Sequence, residues 1–405
     1  MDFEEKRFMN TLKNICILII VFVCLGTPAK GQKIMSDSLQ ISLLTASPGP
    51  AIYEKYGHTA IRVRDFKYFT DVVFNYGLFS FDAPHFMYRF VKGETDYQLG
   101  ITDYSNFTFD YMLRGSRVTE QILNLTQEEE ESLFGQLLEN YKPENRVYRY
   151  NFFFNNCSTK PRDIIAQNIK GGIIYNSTEE KEASQPTFRE MIYEKTGAST
   201  WATFGIDLTL GAPADRRATF QETMFLPERL MNAFKNAKRS DGTSLVSKEV
   251  ISVKERPQKP ENVSWFDSPV NVCWLLLILV LAFELREWHK GRVSPVLDTI
   301  LFTTAGIAGF ILFFLNFFST HPAVDHNYNC LWLQPFQLFA AISVWVKSAK
   351  KVLYYYHFVN FVILLFLIIG NGIIPQHFNP AFFPLIAILM SRSALHLLLY
   401  LKKNH

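Results

Sequence analysis

Apolar positions fall into two regimes along the chain. Between about residues 269 and 401 they form five near-continuous runs, 269–285, 297–318, 329–346, 352–370 and 380–400. Each is close to the roughly 20 residues that carry a helix across the hydrocarbon core of a bilayer. They predict an all-α bundle of about five transmembrane helices. Between about residues 32 and 265 the apolar residues are interspersed with polar ones, over a length sufficient for one full core. A further apolar run, Ile15 to Leu25, follows Lys6, Arg7 and Lys13 and precedes Ala29-Lys30-Gly31, a small-x-small pattern before Gln32. That order is the order of a cleavable export signal. The expected organisation is a signal peptide over 1–31, an exported domain over 32–265 and a transmembrane domain over 266–405.

The loops between the apolar runs set their orientation. Arg286, Lys290 and Arg292 lie in the first, Lys347, Lys350 and Lys351 in the third, and Lys402 and Lys403 in the tail. The second loop (Ser319 to His326) and the fourth (Asn371 to Asn379) carry neither Lys nor Arg. By the positive-inside rule the C-terminus is cytoplasmic and the 32–265 domain lies outside, which agrees with an odd number of spans. The second loop and the residues after it, through Asn329, are polar without being basic. His321 and Asn329 are candidates for holding a lipid headgroup beneath the exported domain, with a capped helix connection as the plainer alternative. His357 and His396 fall inside apolar runs and are expected to pack or to lie at the interface.

In the exported half, His58–Asp65 and Asp71–Tyr76 read as two strands joined through Phe66, Lys67 and Tyr68. Thr126-Gln127-Glu128-Glu129 is a capping box that opens a helix with a stripe of Leu133, Phe134, Leu137 and Leu138, ending before Pro143. Val147–Phe154 reads as another strand and the stretch from near Cys157 to Ile169 as a helix. Pro227 opens a further helix over Glu228–Lys238, and 239–264 reads as a polar tether to the membrane. The fold class is therefore α+β followed by an all-α bundle.

Net charge is +3, which gives no basis for nucleic-acid binding. No nucleotide-binding glycine pattern occurs in the exported half. Its two histidines, His58 and His85, have no metal-ligand spacing. Neither a cofactor nor a metal is indicated.

Cysteine usage sharpens the picture. Of five cysteines, Cys16, Cys24, Cys273 and Cys330 lie in apolar runs, and only Cys157 lies in the exported half. An exported thiol without a partner is unusual. In Asn155-Asn156-Cys157-Ser158-Thr159 it sits between a strand and a helix, where a helix N-terminus favours thiolate and offers N–H donors to an oxyanion. Pro161 requires that the helix start close by. His58 is the candidate base, and Asn75 on the next strand can fix its tautomer. Arg162, followed by Asp163, can bind phosphate or form a local ion pair. Taken singly, Cys157 and His58 also fit a buried small residue and a structural imidazole.

The order His, then Cys in an Asn-Cys dipeptide opening a helix, resembles the circularly permuted papain-like enzymes, a group that includes lecithin:retinol acyltransferase. A longer resemblance covers nearly the whole chain. It is carried by Tyr56-Gly57-His58-Thr59-Ala60-Ile61-Arg62-Val63, Phe74-Asn75-Tyr76-Gly77, Tyr148-Arg149-Tyr150, Asn156-Cys157-Ser158-Thr159 with Arg162-Asp163, and Phe204-Gly205-Ile206-Asp207-Leu208. These segments are similar to the Lnb family of lipoprotein N-acyltransferases, in which a periplasmic domain precedes a multi-span membrane domain. The resemblance implies that Cys157 is the nucleophile and His58 the base. It also implies a phospholipid acyl donor, a lipoprotein acceptor and a place in the bacterial inner membrane with the catalytic domain periplasmic. A cysteine peptidase or amidase, a phospholipase using the same dyad, and a membrane-anchored binding domain with a buried thiol remain alternatives at this stage.

Overall fold

A computed structural model describes residues 39–79, 84–175, 184–256 and 264–404. The expected signal peptide lies outside the described residues. The first half contains β1 (Leu39–Ala46), β2 (His58–Asp65), β3 (Thr70–Leu78), α1 (Phe86–Lys92), β4 (Asp96–Asp103), α2 (Tyr104–Arg114), β5 (Val118–Leu123) and α3 (Gln127–Tyr141). There follow β6 (Val147–Arg149), α4 (Thr159–Gln167), α5 (Phe188–Thr196), α6 (Trp201–Thr209), α7 (Pro227–Asn236) and β7 (Val246–Val253). The strands form one antiparallel sheet in the order β6-β4-β3-β2-β1-β5-β7.

Alternation along the central strands gives the sheet two apolar faces. Ile41, Leu43, Ile61, Val63 and Phe74 pack against α3, α4 and α7 through Leu133, Ile165 and Leu230. Leu44, Ala60 and Val73 face Phe107 and Tyr111 of α2. Leu43, Ile61 and Phe74 are fully buried, and each contributes about 1.5–3 kcal/mol by leaving water. The capping box forms as the sequence predicts. Thr126 Oγ1 accepts from Glu129 N at 3.4 Å, and Glu129 Oε2 accepts from Thr126 N at 2.8 Å.

Two local expectations change. The strand after Val147 stops at Arg149, because Asn151 folds the chain back: its Oδ1 accepts from Phe153 N and Phe154 N, and it bridges to Asn155. Within the stretch read as a tether, Val246–Val253 instead closes the sheet as an edge strand beside β5.

The second half holds α8 (Pro269–Lys290), α9 (Pro295–Phe318), α10 (Gln337–Ser343), α11 (Lys350–Ile369) and α12 (Phe382–Asn404). Four of these, α8, α9, α11 and α12, are long and apolar enough to cross a membrane. The third expected span is not a continuous helix. It runs as a short 3-10 turn (Tyr328–Leu331), an irregular stretch through Pro335, and the seven-residue α10. Pro335 cannot sit inside a helix, and amide side chains take over the freed backbone groups. Gln337 Nε2 donates to Trp332 O at 2.7 Å and Gln334 Nε2 to Leu331 O at 3.0 Å. Gly306 and Gly309 of α9 admit this backbone closely: a Cβ on Gly309 would lie 2.5 Å from Gln334 N. Irregular backbone at membrane depth is tolerated when protein surrounds it in this way.

Arg292, Lys350 and Lys403 meet at one end of the bundle, and the N-terminal domain docks on the other. At the docking end Arg189 on α5 is buried and pairs with Asp207 at 2.6 Å and Asp215 at 2.8 Å. Asp207 also accepts from Tyr193 Oη and from Asn379 Nδ2, both at 2.8 Å. Asn327 donates to Leu208 O at 2.8 Å, and Asn329 to Asp207 O at 3.0 Å. Toward the basic end, Arg392 on α12 is buried against Asp298 and Glu287, and His396 bonds Asp298 at 2.7 Å. His357 lies beside them, 3.1 Å from Ser393 Oγ.

Candidate active site

His58 is delivered by a tight turn. Gly57 has φ +78°, and a Cβ there would lie 2.6 Å from Ala46 O, so the position favours glycine. The next residue begins β2 opposite Ala46. Asn75 stands on the neighbouring strand, and its Oδ1 is 2.6 Å from His58 Nε2. An amide oxygen only accepts, so Nε2 carries the proton and Nδ1 is left for a second partner. The register of β3 breaks between Asn75 and Leu78. Gly77, with φ +97°, sits in this break, and a Cβ on it would be 3.4 Å from that of Cys157.

Cys157 is held by its neighbour. Asn156 Oδ1 accepts from Ser158 N at 2.7 Å and Thr159 N at 2.9 Å, while its Nδ2 donates to Phe152 O and Phe225 O. Lys160 N bonds Asn156 O at 3.2 Å, so the first helical turn starts here and Pro161 falls within it. Ser158 Oγ meets Thr59 Oγ1 at 3.3 Å, which ties this turn to β2. The expectation that the helix-end N–H groups stabilise an oxyanion changes accordingly: those of Ser158 and Thr159 are already taken by Asn156.

The electrostatics of the pair are reciprocal. Burial pushes the Cys157 thiol up. The charge and hydrogen bond of His58, with backbone hydrogen bonds at Thr59 and Cys157, outweigh it and hold the thiol below its ordinary value. Burial pushes His58 down, but Cys157 and then the Asn75 hydrogen bond raise it above its ordinary value, with Arg114 opposing. Each side chain therefore favours the charged form of the other, the direction that suits a nucleophile beside its proton carrier.

The pair opens into a cavity of about 320 Å³ lined by Tyr56, Phe79, Tyr97, Tyr111, Arg114 and Tyr150, among others. Burial pushes the Tyr56 and Tyr97 phenols up to about 12, so both keep their protons as potential donors. Sequence reasoning did not assign this lining. Two of its rings, Tyr56 and Tyr150, lie in segments that carry the family resemblance, and Tyr150 stacks on Tyr97 at 4.0 Å.

Of the six residues singled out from the sequence, Cys157, His58 and Asn75 come together in the cavity. The other three do not line it. Arg162 bonds Asp163 and Gln221 O, both at 2.7 Å. His321 bonds Phe90 O at 2.5 Å. Asn329 is fully buried in the docking contact. No cluster of metal-ligating side chains occurs among the described residues.

Residues 28–193 match the Lnb N-terminal periplasmic domain, and residues 261–404 match the Lnb transmembrane domain. The chain belongs to the Lnb family. No curated protein and no solved structure gives a match to the chain. As an Lnb protein it is a membrane protein whose N-terminal α+β domain is of the periplasmic type. The Lnb periplasmic match contains His58, Asn75 and Cys157. The docking residues Asp207 and Asp215 lie between the two matched regions, and Asn327, Asn329 and Asn379 lie within the transmembrane match.

Proposed function

We propose that this protein is a cysteine-dependent lipoprotein N-acyltransferase of the bacterial inner membrane, working on the periplasmic side. The observation that carries the reading is that Cys157 and His58 line one cavity and shift each other's titration, with Asn75 bonded to the imidazole, in a domain docked to apolar helices long enough to cross a membrane. His58 takes the thiol proton. The thiolate attacks an ester carbonyl carbon of a phospholipid, and the negative charge moves to the carbonyl oxygen. The carbon–oxygen bond to glycerol breaks as the imidazolium returns its proton to the departing oxygen. A lysophospholipid leaves and the acyl group remains on Sγ as a thioester.

In the second half the neutral α-amino group of a diacylglyceryl-cysteine lipoprotein attacks the thioester carbon. His58 accepts the proton from nitrogen, the carbon–sulfur bond breaks, and an amide and the thiolate result. Dividing the transfer in two is the usual advantage of a covalent intermediate. Asn75 keeps the Nε2 proton in place, which leaves Nδ1 as the nitrogen that takes and returns the proton. Spanning helices suit this chemistry because both substrates are anchored in the bilayer.

The test is replacement in cells that lack their own lipoprotein N-acyltransferase. The wild-type protein is expected to restore N-acylated lipoproteins and Cys157→Ser is not. Unchanged N-acylation in the Cys157→Ser strain would refute the assignment.

A further inference from the structure

A series of aromatic rings leads out of the cavity toward the membrane end of the molecule. Tyr150 stacks on Tyr97 with centroids 4.0 Å apart, and Tyr97 meets Phe79 at 4.9 Å. Phe79 stacks on Phe86 at 6.2 Å and Phe86 on Phe90 at 5.9 Å. Phe90 meets His321 at 5.7 Å. The first three rings line the Cys157 cavity, the next two belong to α1, and His321 follows the end of α9.

The spanning helix fixes the height of α1. Ser319 Oγ donates to Val91 O at 2.9 Å, and Thr320 N to Lys92 O at 2.9 Å. Gly93 has φ +77°, and a Cβ on it would lie 2.6 Å from His321 N. The C-terminal end of α1 is thus fastened to the point where α9 ends on the docking side. At that level α1 presents Met87 (69% exposed), Tyr88 (57%) and Phe90 (46%), near the exposed Phe317 and Phe318 of α9. Its two cations are paired, Arg89 with Asp96 at 2.5 Å and Lys92 with Glu94 at 2.7 Å. Exposed aromatic and sulfur side chains at a membrane interface favour contact with lipid over water.

We propose that α1 and this ring series form the binding site for the acyl chain of the donor lipid, carrying it from the outer bilayer surface to Cys157. The proposal rests on the acyl-transfer reading and specifies where the donor chain lies. The chain is an apolar ligand matched to an apolar, continuous surface that begins where α9 leaves the bilayer. The alternative occupant of α1, the acceptor lipoprotein, gives a different result in the test.

The full-length protein in phospholipid nanodiscs would be offered a long-chain and a short-chain activated ester, and adducts on Cys157 followed by mass spectrometry. Met87→Glu and, separately, Phe90→Ser alter side chains at exposed positions. In each, the ratio of long-chain to short-chain acylation rate is expected to fall by roughly tenfold, as a large apolar contact is lost. An unchanged ratio overturns the proposal. Normal acylation followed by lost transfer to an acceptor lipopeptide also overturns it, by assigning α1 to the acceptor. Absence of a Cys157 adduct from either ester in the wild-type protein removes the acyl-transfer reading itself, and the proposal with it.

Discussion

Two polar clusters in this molecule draw on segments quoted for the same family resemblance, yet they are built for different ends. Around Asp207, both carboxylate oxygens are bonded: Arg189 bridges Asp207 and Asp215, and Tyr193 and Asn379 complete the second Asp207 oxygen. Around Cys157, the acid and base are each displaced from their ordinary values by the other and face an open cavity. The first cluster has no spare capacity and holds two domains together. The second retains a nucleophile and a movable proton. Motif membership alone does not separate the two; access and unused bonding capacity do.

The largest effect should come from removing the sulfur. Cys157→Ser is expected to lower acyl transfer by at least roughly 10³-fold while leaving the thermal transition of the purified protein in place. A lost transition with the lost activity would make Cys157 a packing residue. The reverse outcome is expected in the other cluster. Arg189→Met leaves the buried Asp207 carboxylate and the partly buried Asp215 without their cation and should cost about 3–5 kcal/mol, read as a lowered melting temperature. An Arg189→Met protein of normal stability would contradict the structural assignment.

Asn75→Ala tests the imidazole's support. Transfer should fall by about 10²-fold with little change in stability, because the neutral tautomer is no longer fixed. The pH dependence of Cys157 alkylation comes next. A thiol held low is thiolate above that lowered value, so labelling by iodoacetamide should persist below the ordinary thiol range of about 8.5. In His58→Ala the charge and hydrogen bond are gone and burial remains, so the inflection should move up toward that range or above it. An unchanged inflection would show that the two side chains do not interact. The smallest effect is expected at Arg162→Gln, whose ion pair with Asp163 is local. Activity within about twofold of wild type fits a pair worth roughly 0–1 kcal/mol.

Much of the site was legible because its signals are local. The strand at His58, the capping box at Thr126 and the Asn-Cys turn each lie within a few consecutive residues. The docking contact was not legible, since Asp207 meets Asn379, 172 residues away, and the segment around Asp207 does not show which partner it takes. The edge strand Val246–Val253 reads as a tether because half of its residues are exposed, including Ile251, and only Val253 is buried. The third apolar run reads as a helix because hydropathy does not register that Gln334 and Gln337 bond to backbone around Pro335. The oxyanion expectation changed for a related reason: sequence shows a helix start but not that Asn156 occupies its donors.

The most direct test is intact-protein mass spectrometry after incubation with phospholipid vesicles, followed by addition of a diacylglyceryl-cysteine peptide. A hydroxylamine-sensitive fatty-acyl mass on Cys157 is expected first, then its disappearance as the peptide gains the same mass through an amide. No adduct on Cys157, or its release only as free fatty acid with the peptide present, would contradict acyl transfer.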